Sequence, residues 1–281
     1  MSDLYDNRAC FLGEGPLWHP ERKDLFWFDI MNKKMMTKTQ EWHFDTYVSA
    51  AGWVSQDQLV VASADALSLF DISTGKLDTL TALEADNPIT RSNDGRADPM
   101  GGFWIGTMGL NLEKGAGAIY RYFRGEVRCL FPNISISNSI CFSPDGLWAY
   151  FADTPDKTIN RVALDEDGWP KRDPEVVVDL RQTDLNPDGS VVDAEGNIWN
   201  AQWGAHRVAC YAPDGALIRF VEFPPAHTSC PAFGGENLTD LFVTSAQEHI
   251  SADAVKANPS HGQTFVARNV AQGQAEHRVI L

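Results

Sequence analysis

Positive charge is scarce in this chain. Its 281 residues contain 23 Lys and Arg against 38 Asp and Glu, for a formal net charge of −15. The basic residues form no dense run that could attract phosphate backbones or anionic lipid headgroups. We therefore expect neither a nucleic acid nor a membrane surface as a partner.

Long apolar runs and paired cysteines are also missing. No stretch approaches the roughly 18 apolar residues of a membrane span, and the first residues lack the basic and apolar regions of a secretory signal. The five cysteines are far apart, and none belongs to a C-x-x-C pair. This usage favours reduced, small buried side chains over disulfides or a zinc site, and it predicts a cytoplasmic protein.

Three common catalytic motifs are absent. The chain contains no G-x-S-x-G, no glycine-rich phosphate loop and no H-E-x-x-H. Serine hydrolases with a nucleophile elbow, nucleotide enzymes and zincins therefore have no support. The seven histidines are scattered without zinc-ligand spacing. We interpret His19, which follows Glu14 closely, as a surface-loop residue.

What the chain does contain is a repeat of short aromatic and β-branched runs separated by Gly, Pro, Asp and Asn. The centres of the six clearest runs are 33, 44, 46, 49 and 43 residues apart, at Trp27, Val60, Trp104, Tyr150, Trp199 and Phe242. A repeating unit of roughly 40–50 residues with several short strands is typical of a propeller blade. A β-sandwich, the alternative fold, requires no fixed period.

The repeat predicts an all-β chain folded as a six-bladed β-propeller, in one domain over residues 1–281. The short first spacing indicates a short or merged early blade. Only residues 251–259 tolerate a helix, and they resemble a loop insertion.

Polar residues occur just ahead of several of these runs, where inner strands of a propeller converge on the central channel. They are Glu14, Arg91, Asn93, Asn138 and Asp188. Singly, Asp188 and Asn93 could belong to turns, and Glu14 could be a solvated loop acid. Together, Glu14, Asn138 and Asp188 offer three hard oxygen donors, which suit Ca²⁺, Mg²⁺, Mn²⁺, Zn²⁺ or Fe²⁺. Three protein ligands leave coordination positions open, as in a catalytic site.

Eight short motifs spread along the chain are similar to those of the regucalcin/gluconolactonase family of sugar lactonases. They are G-E-G-P-L-W (13–18), R-S-N-D-G (91–95), G-T-M (106–108), I-S-N-S (136–139), S-P-D-G (143–146), D-T (153–154), P-D-G (187–189) and F-G-G (233–235). The resemblance implies a six-bladed propeller with one divalent metal ion on its axis. It also implies that Glu14, Asn138 and Asp188 are metal ligands.

The same resemblance implies that Arg91 and Asn93 bind the substrate and that Asp188 acts as general base. One position departs from the family pattern. Asn111 stands where some members carry a substrate-contacting Glu, three residues after the G-T-M motif. Asn111 could still hydrogen-bond a sugar hydroxyl but supplies no negative charge.

We therefore expect metal-dependent hydrolysis of an aldono- or aldaro-lactone to the sugar acid, with the metal polarising the carbonyl and Asp188 activating water. Two alternatives stay open. One is another metal-dependent esterase or phosphotriesterase on the same scaffold, and the other is a non-catalytic calcium-binding propeller. The sequence does not distinguish a monomer from a dimer.

Overall fold

Six four-stranded antiparallel sheets make up the computed structural model, which describes residues 2–281. Blade 1 contains β2 (Gly13–His19), β3 (Asp24–Asp29), β4 (Lys34–Met36) and β5 (Glu41–His43). Blade 2 contains β6 (Val48–Ser55), β7 (Gln58–Ser63), β8 (Ala66–Asp71) and β9 (Leu77–Ala82). Blade 3 contains β10 (Thr90–Ala97), β11 (Phe103–Gly109), β12 (Gly117–Phe123) and β13 (Glu126–Ile134).

The remaining blades follow in chain order. Blade 4 contains β14 (Ser137–Phe142), β15 (Trp148–Asp153), β16 (Thr158–Ala163) and β17 (Glu175–Asp179), with a short 3-10 turn at Thr154–Asp156. Blade 5 contains β18 (Asn186–Val192), β19 (Ile198–Trp203), β20 (Arg207–Tyr211) and β21 (Leu217–Glu222). Blade 6 contains β22 (Thr228–Gly234), β23 (Asp240–Ser245), β24 (Thr264–Ala267) and the N-terminal strand β1 (Ser2–Asp6), and helix α1 (Ala252–Ala257) precedes β24.

This architecture confirms the predicted six-bladed propeller. The six aromatic and β-branched runs form the second strand of each blade, and each pairs with the strand on either side. The short first spacing reflects a complete blade whose two outer strands, β4 and β5, have three residues each. The helix-tolerant stretch contains α1, in a loop between β23 and β24. That residues 1–281 form one domain remains a prediction.

The ring is closed by pairing the two ends of the chain within blade 6. Strand β1 runs antiparallel to β24, with Ser2 opposite Ala267 and Leu4 opposite Phe265. Tyr5 of β1 packs edge-on against Phe242 of β23, with 4.9 Å between ring centroids. Hydrogen bonds and an aromatic contact within blade 6 therefore join the two ends of the chain and close the ring.

Each inner strand is interrupted by a register shift where it approaches the channel. The pairing of β2 shifts after Glu14, that of β14 after Asn138, and that of β18 between Pro187 and Ser190, which brackets Asp188. A bulge turns a side chain away from the regular alternation of a strand. The three predicted metal ligands therefore lie at or inside bulges, which aim them towards the channel.

Gly15 makes the bulge of β2 possible. Its φ is +55°, and a Cβ at this position would collide with the carbonyl oxygen of Ser49 on the neighbouring inner strand. No other residue fits this close approach without displacing backbone. The G-E-G sequence thus fixes Glu14 between blades 1 and 2.

The interpretation of His19 as a surface-loop residue is wrong. His19 ends β2 and has no solvent exposure. Its Nε2 lies 3.0 Å from the carbonyl oxygen of Ser55, and its Nδ1 accepts a hydrogen bond from the backbone of Arg22 at 3.2 Å. The ring of Trp53, from blade 2, lies 5.7 Å away and covers it. Burial comes from a neighbouring blade, which local sequence does not reveal.

Four of the five cysteines are buried as predicted, and the prediction is wrong for Cys129, which lies on the outer strand β13. All five are free thiols; Cys10, Cys141, Cys210 and Cys230 are buried, and Cys129 is exposed. Within residues 2–281, no helix has the length and apolarity needed to cross a membrane.

Candidate active site

The first halves of the inner strands surround a cavity of about 210 Å³ at one end of the channel. Its lining includes all five polar residues singled out ahead of the aromatic runs: Glu14, Arg91, Asn93, Asn138 and Asp188. They come from four strands in four blades, β2, β10, β14 and β18. Residues up to 174 positions apart in the sequence thus share one site.

Two buried carboxyl groups dominate the electrostatics of this cavity. Glu14 and Asp188 are 6% and 5% exposed. Burial, followed by the charge of Asp94, raises the pKa of Glu14 to about 8. Burial, followed by the charge of Glu14, raises the pKa of Asp188 well above its usual value. Each acid is thus short of positive charge, which a divalent cation would supply.

Asn138 has the orientation that a hard cation requires. Its amide nitrogen donates a hydrogen bond to Thr154 Oγ1 at 2.9 Å, and its Oδ1 accepts one from Asn93 Nδ2 at 3.3 Å, which leaves a second lone pair of Oδ1 for a ligand. Within residues 2–281, no three His, Cys, Asp or Glu side chains form a metal-binding group. A three-ligand site in this cavity therefore needs the amide oxygen of Asn138. Two carboxylates and one amide oxygen are a donor set that fits a divalent cation.

Thr154 links two of these ligands. Besides accepting the hydrogen bond from Asn138, its hydroxyl donates to the carbonyl oxygen of Pro187 at 2.8 Å. Pro187 directly precedes Asp188, so one side chain connects the amide of blade 4 to the acid of blade 5.

A network of buried polar side chains holds the backbone of Asp188 in place. The carbonyl oxygen of Asp188 accepts hydrogen bonds from Ser139 Oγ at 2.5 Å and from Asn200 Nδ2 at 3.0 Å. Ser190 Oγ donates in turn to Ser139 Oγ at 2.9 Å. The bulge that presents Asp188 is therefore fixed by side chains from two blades.

Arg91 is the cavity's buried cation. Its Nη1 donates to Asn93 Oδ1 at 2.8 Å and to the backbone of Ser92 at 2.9 Å, which leaves Nε and Nη2 for a ligand. Burial lowers the pKa of Arg91, while the charges of Glu248 and Glu14 raise it. Asn93 Nδ2 donates to the carbonyl oxygen of Ser137 at 2.8 Å. The pair is held rigidly, and it can present N–H donors to substrate oxygens.

Asn111 lies apart from this group. It occupies an exposed turn after β11, where its backbone N and its Nδ2 donate to the carboxylate of Glu113 at 2.9 and 3.0 Å. It is not among the residues that line the cavity, although Met108 and Leu112 on either side are. The predicted contact of Asn111 with a substrate stays a prediction, and it requires the turn to release Asn111 from Glu113.

Besides the apolar residues of the cavity wall, four lining residues were not singled out as site residues in the sequence: Thr154, Trp203, Glu248 and His249. Trp203 ends the second strand of blade 5, Thr154 directly follows that of blade 4, and Glu248 and His249 follow that of blade 6. The second strands run back towards the cavity. The residues that follow each aromatic run are therefore the positions at which these cavity residues could have been predicted from the sequence.

Comparison with solved structures confirms the fold. The chain superposes on regucalcin of Agrobacterium tumefaciens strain C58, described as a calcium-binding protein, with a TM-score of 0.98 and 42% identity, covering 100% of this chain and 98% of that one. It superposes on a luciferin-regenerating enzyme with a TM-score of 0.91 and 23% identity, over 100% and 99% of the two chains. The second likeness concerns the fold alone.

The family is equally clear. A model described as the SMP-30/Gluconolactonase/LRE-like region matches residues 12–247, and the chain belongs to this family. It is 39% identical to a Rhizobium meliloti protein provisionally named a sugar lactone lactonase, over 92% of this chain and 90% of the relative. It is 35% identical to the L-arabinolactonase of Azospirillum brasilense, over 98% and 94% of the two chains. The resemblance noted from the eight motifs is thereby confirmed.

Proposed function

We propose that this chain is a sugar lactonase that uses one divalent metal ion to hydrolyse a lactone to the sugar acid. The observation that carries the proposal is the convergence of Glu14, Asn138 and Asp188 with Arg91 and Asn93 in one cavity. The names of its relatives support the reaction class, because a 6-deoxy-6-sulfogluconolactonase of Pseudomonas putida, 32% identical over 94% of each chain, joins the L-arabinolactonase above.

In this proposal Glu14, Asn138 and Asp188 hold the metal ion. When bound, such an ion supplies Lewis-acid polarisation of a carbonyl and lowers the pKa of water. Arg91 donates a hydrogen bond to the oxygen that gains negative charge as the carbonyl is attacked. Asn93, fixed between Arg91 and Asn138, orients the ring.

Asp188 is assigned the proton transfers. As the water oxygen bonds to the carbonyl carbon, Asp188 accepts the proton, and it returns that proton to the ring oxygen when the carbon–oxygen bond of the ring breaks. The products are a carboxylic acid and a free hydroxyl, so one water is consumed. The anchored backbone of Asp188 holds its carboxylate in place for both proton transfers.

A pH-indicator assay with chelator-stripped protein tests the proposal. Pentono-, hexono- and aldaro-lactones are screened with Ca²⁺, Mg²⁺, Mn²⁺, Zn²⁺ and Fe²⁺ added singly. We expect metal-dependent acid release, and Asp188→Asn should lower kcat by about 10²-fold or more. Asp214→Asn, an exposed substitution in the outer turn of the same blade, is the matched control. If no combination of lactone and metal ion gives turnover above the spontaneous rate, the proposal is contradicted.

A second candidate, an aryl-ester or phosphotriester hydrolase, is favoured by one feature. The cavity is lined by apolar side chains as well as polar ones: Leu12, Met108, Leu112, Ile136 and Trp203. An aryl group would pack on this wall, and the same metal would polarise its ester or phosphoryl oxygen. Phenyl acetate and a phosphotriester therefore belong in the panel. Metal binding without turnover of any of these compounds would leave the non-catalytic calcium-binding propeller.

A further inference from the structure

Glu248 is the acid of the cavity that neither metal binding nor proton transfer uses. It follows β23 in the loop before α1, and it was not singled out in the sequence. Its backbone is fixed at two points: its N–H donates to the carbonyl oxygen of Phe11 at 2.9 Å, and its carbonyl oxygen accepts from His227 Nδ1 at 2.9 Å. His227 in turn stacks on the cavity residue Trp203, with ring centroids 4.2 Å apart. The position of Glu248 is therefore set by three blades.

The carboxylate of Glu248 lacks hydrogen-bond donors. Its side chain is 23% exposed, and the nearest basic group, Nε2 of His249, lies 4.0 Å away, beyond hydrogen-bonding distance. Within residues 2–281, no other group donates a hydrogen bond to it. The carboxylate is therefore open to the cavity, and its hydrogen bonds come from water or from a ligand that brings a hydroxyl. Glu248 thus offers an acceptor to whatever occupies the cavity.

The charge balance of the cavity shows which ligands fit. A divalent ion would neutralise Glu14 and Asp188, and Glu248 balances Arg91, whose pKa it raises more than any other charged group does. In the part of the chain that the structure describes, residues 2–281, no buried cation other than Arg91 lines the cavity. A ligand with a second negative charge would meet the charge of Glu248 without a compensating partner.

We propose that Glu248 is a specificity-determining residue that selects neutral polyhydroxylated lactones and rejects lactones with an additional carboxylate or sulfonate. The inference rests on the proposed lactonase activity and deepens it. The Glu248 carboxylate accepts a hydrogen bond from a hydroxyl of the substrate that Arg91 and Asn93 do not reach. The apolar wall covers the faces of the sugar that carry only C–H groups.

The test compares kcat/KM for a neutral aldono-1,4-lactone and for the aldaro-1,4-lactone of the same ring configuration. The wild type should prefer the neutral lactone by about tenfold or more. Glu248→Gln keeps the shape but removes the charge, so it should slow the neutral lactone about fivefold and lower the preference about tenfold or more. Glu236→Gln, an exposed substitution in the turn between β22 and β23 of the same blade, should leave both constants unchanged.

Failure of the proposed function and failure of the role of Glu248 give different results. If the wild type hydrolyses no lactone, the proposed function fails and this inference fails with it. If the wild type hydrolyses lactones but prefers the charged one, or if Glu248→Gln preserves the preference, only the role of Glu248 is overturned. The wild type also provides a test without any variant, because added salt should screen the repulsion and raise kcat/KM for the charged lactone selectively. An equal salt response of both lactones contradicts the inference.

Discussion

At the scale of single residues, Thr154 is the side chain on which the metal geometry depends most. Thr154→Val keeps its volume but removes the hydroxyl that joins Asn138 to Pro187. The amide of Asn138 would then keep only the longer hydrogen bond from Asn93, at 3.3 Å, so we expect metal affinity to fall about tenfold or more. Thr154→Ser, which retains the hydroxyl, should bind metal like the wild type. Calorimetric titration of chelator-stripped protein measures this, and equal affinities for the valine variant and the wild type would show that Thr154 positions nothing.

His19 gives the protein a pH-dependent stability that is unrelated to the active site. Burial lowers the pKa of His19 below its usual value of 6.5, so the unfolded chain binds the proton more readily than the folded one. The contribution of neutral His19 is present above pH 6.5 and is lost as the pH falls below that value.

Urea unfolding at about pH 7.5 and about pH 5 tests this contribution. The free energy of unfolding should fall less with pH in His19→Gln, which cannot be protonated, than in the wild type. His43→Gln, in the exposed strand β5, removes an imidazole that pairs with Glu41 at the surface, so it is the control and should change the pH dependence less than His19→Gln does. Identical pH dependence in His19→Gln and the wild type would rule out the buried neutral imidazole.

The residues that sequence reasoning found are those that break a local rule. Asn138 interrupts an apolar alternation, and Glu14 sits between two glycines, so both stand out without a structure. Glu248 and His19 break no such rule. Their roles depend on Phe11, His227 and Trp53, which are distant in the sequence, and a local sequence pattern does not reveal those contacts.

At the scale of elements, the C-terminal segment seals the end of the channel opposite the active site. Residues 270–281 form no strand. Two hydrogen bonds nevertheless hold it to the inner strands. Gln274 Nε2 donates to the carbonyl oxygen of Val192 at 3.0 Å, and the backbone N–H of Val279 donates to the carbonyl oxygen of Trp53 at 2.8 Å. The repeat predicted none of this, because the segment lies outside the repeating unit.

A buried ion pair ties this segment to the inner strands. Glu276 pairs with Arg96 of β10, and their side chains are only 7% and 10% exposed. Glu276→Gln should leave the Arg96 charge unpaired and lower the free energy of unfolding by about 3–5 kcal/mol, as measured in urea. Lactonase kcat/KM should not change, because the pair lies at the far end of the channel.

A double variant separates charge from packing at this pair. Replacing Arg96 and Glu276 together with Met removes both charges, so the double variant should be more stable than Glu276→Gln alone. If the double variant proves the less stable of the two, packing by the C-terminal segment outweighs the unpaired charge.

At the scale of the whole molecule, six repeats of one simple unit produce a single asymmetric site. The aromatic second strands make the blades alike, and the period of those strands was enough to predict the ring. The site depends instead on four inner strands that differ from one another at their bulges, where Glu14, Arg91, Asn138 and Asp188 meet. The fold therefore followed from what the blades share, and the candidate site followed from where they differ.

Titrating metal into chelator-stripped protein while following lactone hydrolysis tests the central claim most directly. The account predicts that the rate is near the spontaneous one without metal, rises in proportion to added metal and stops rising at one equivalent per chain. The same titration of Asn138→Ala should show weaker binding and no sharp break. Full activity in the stripped protein, or a break at two equivalents or more, would contradict a single divalent ion held by Glu14, Asn138 and Asp188.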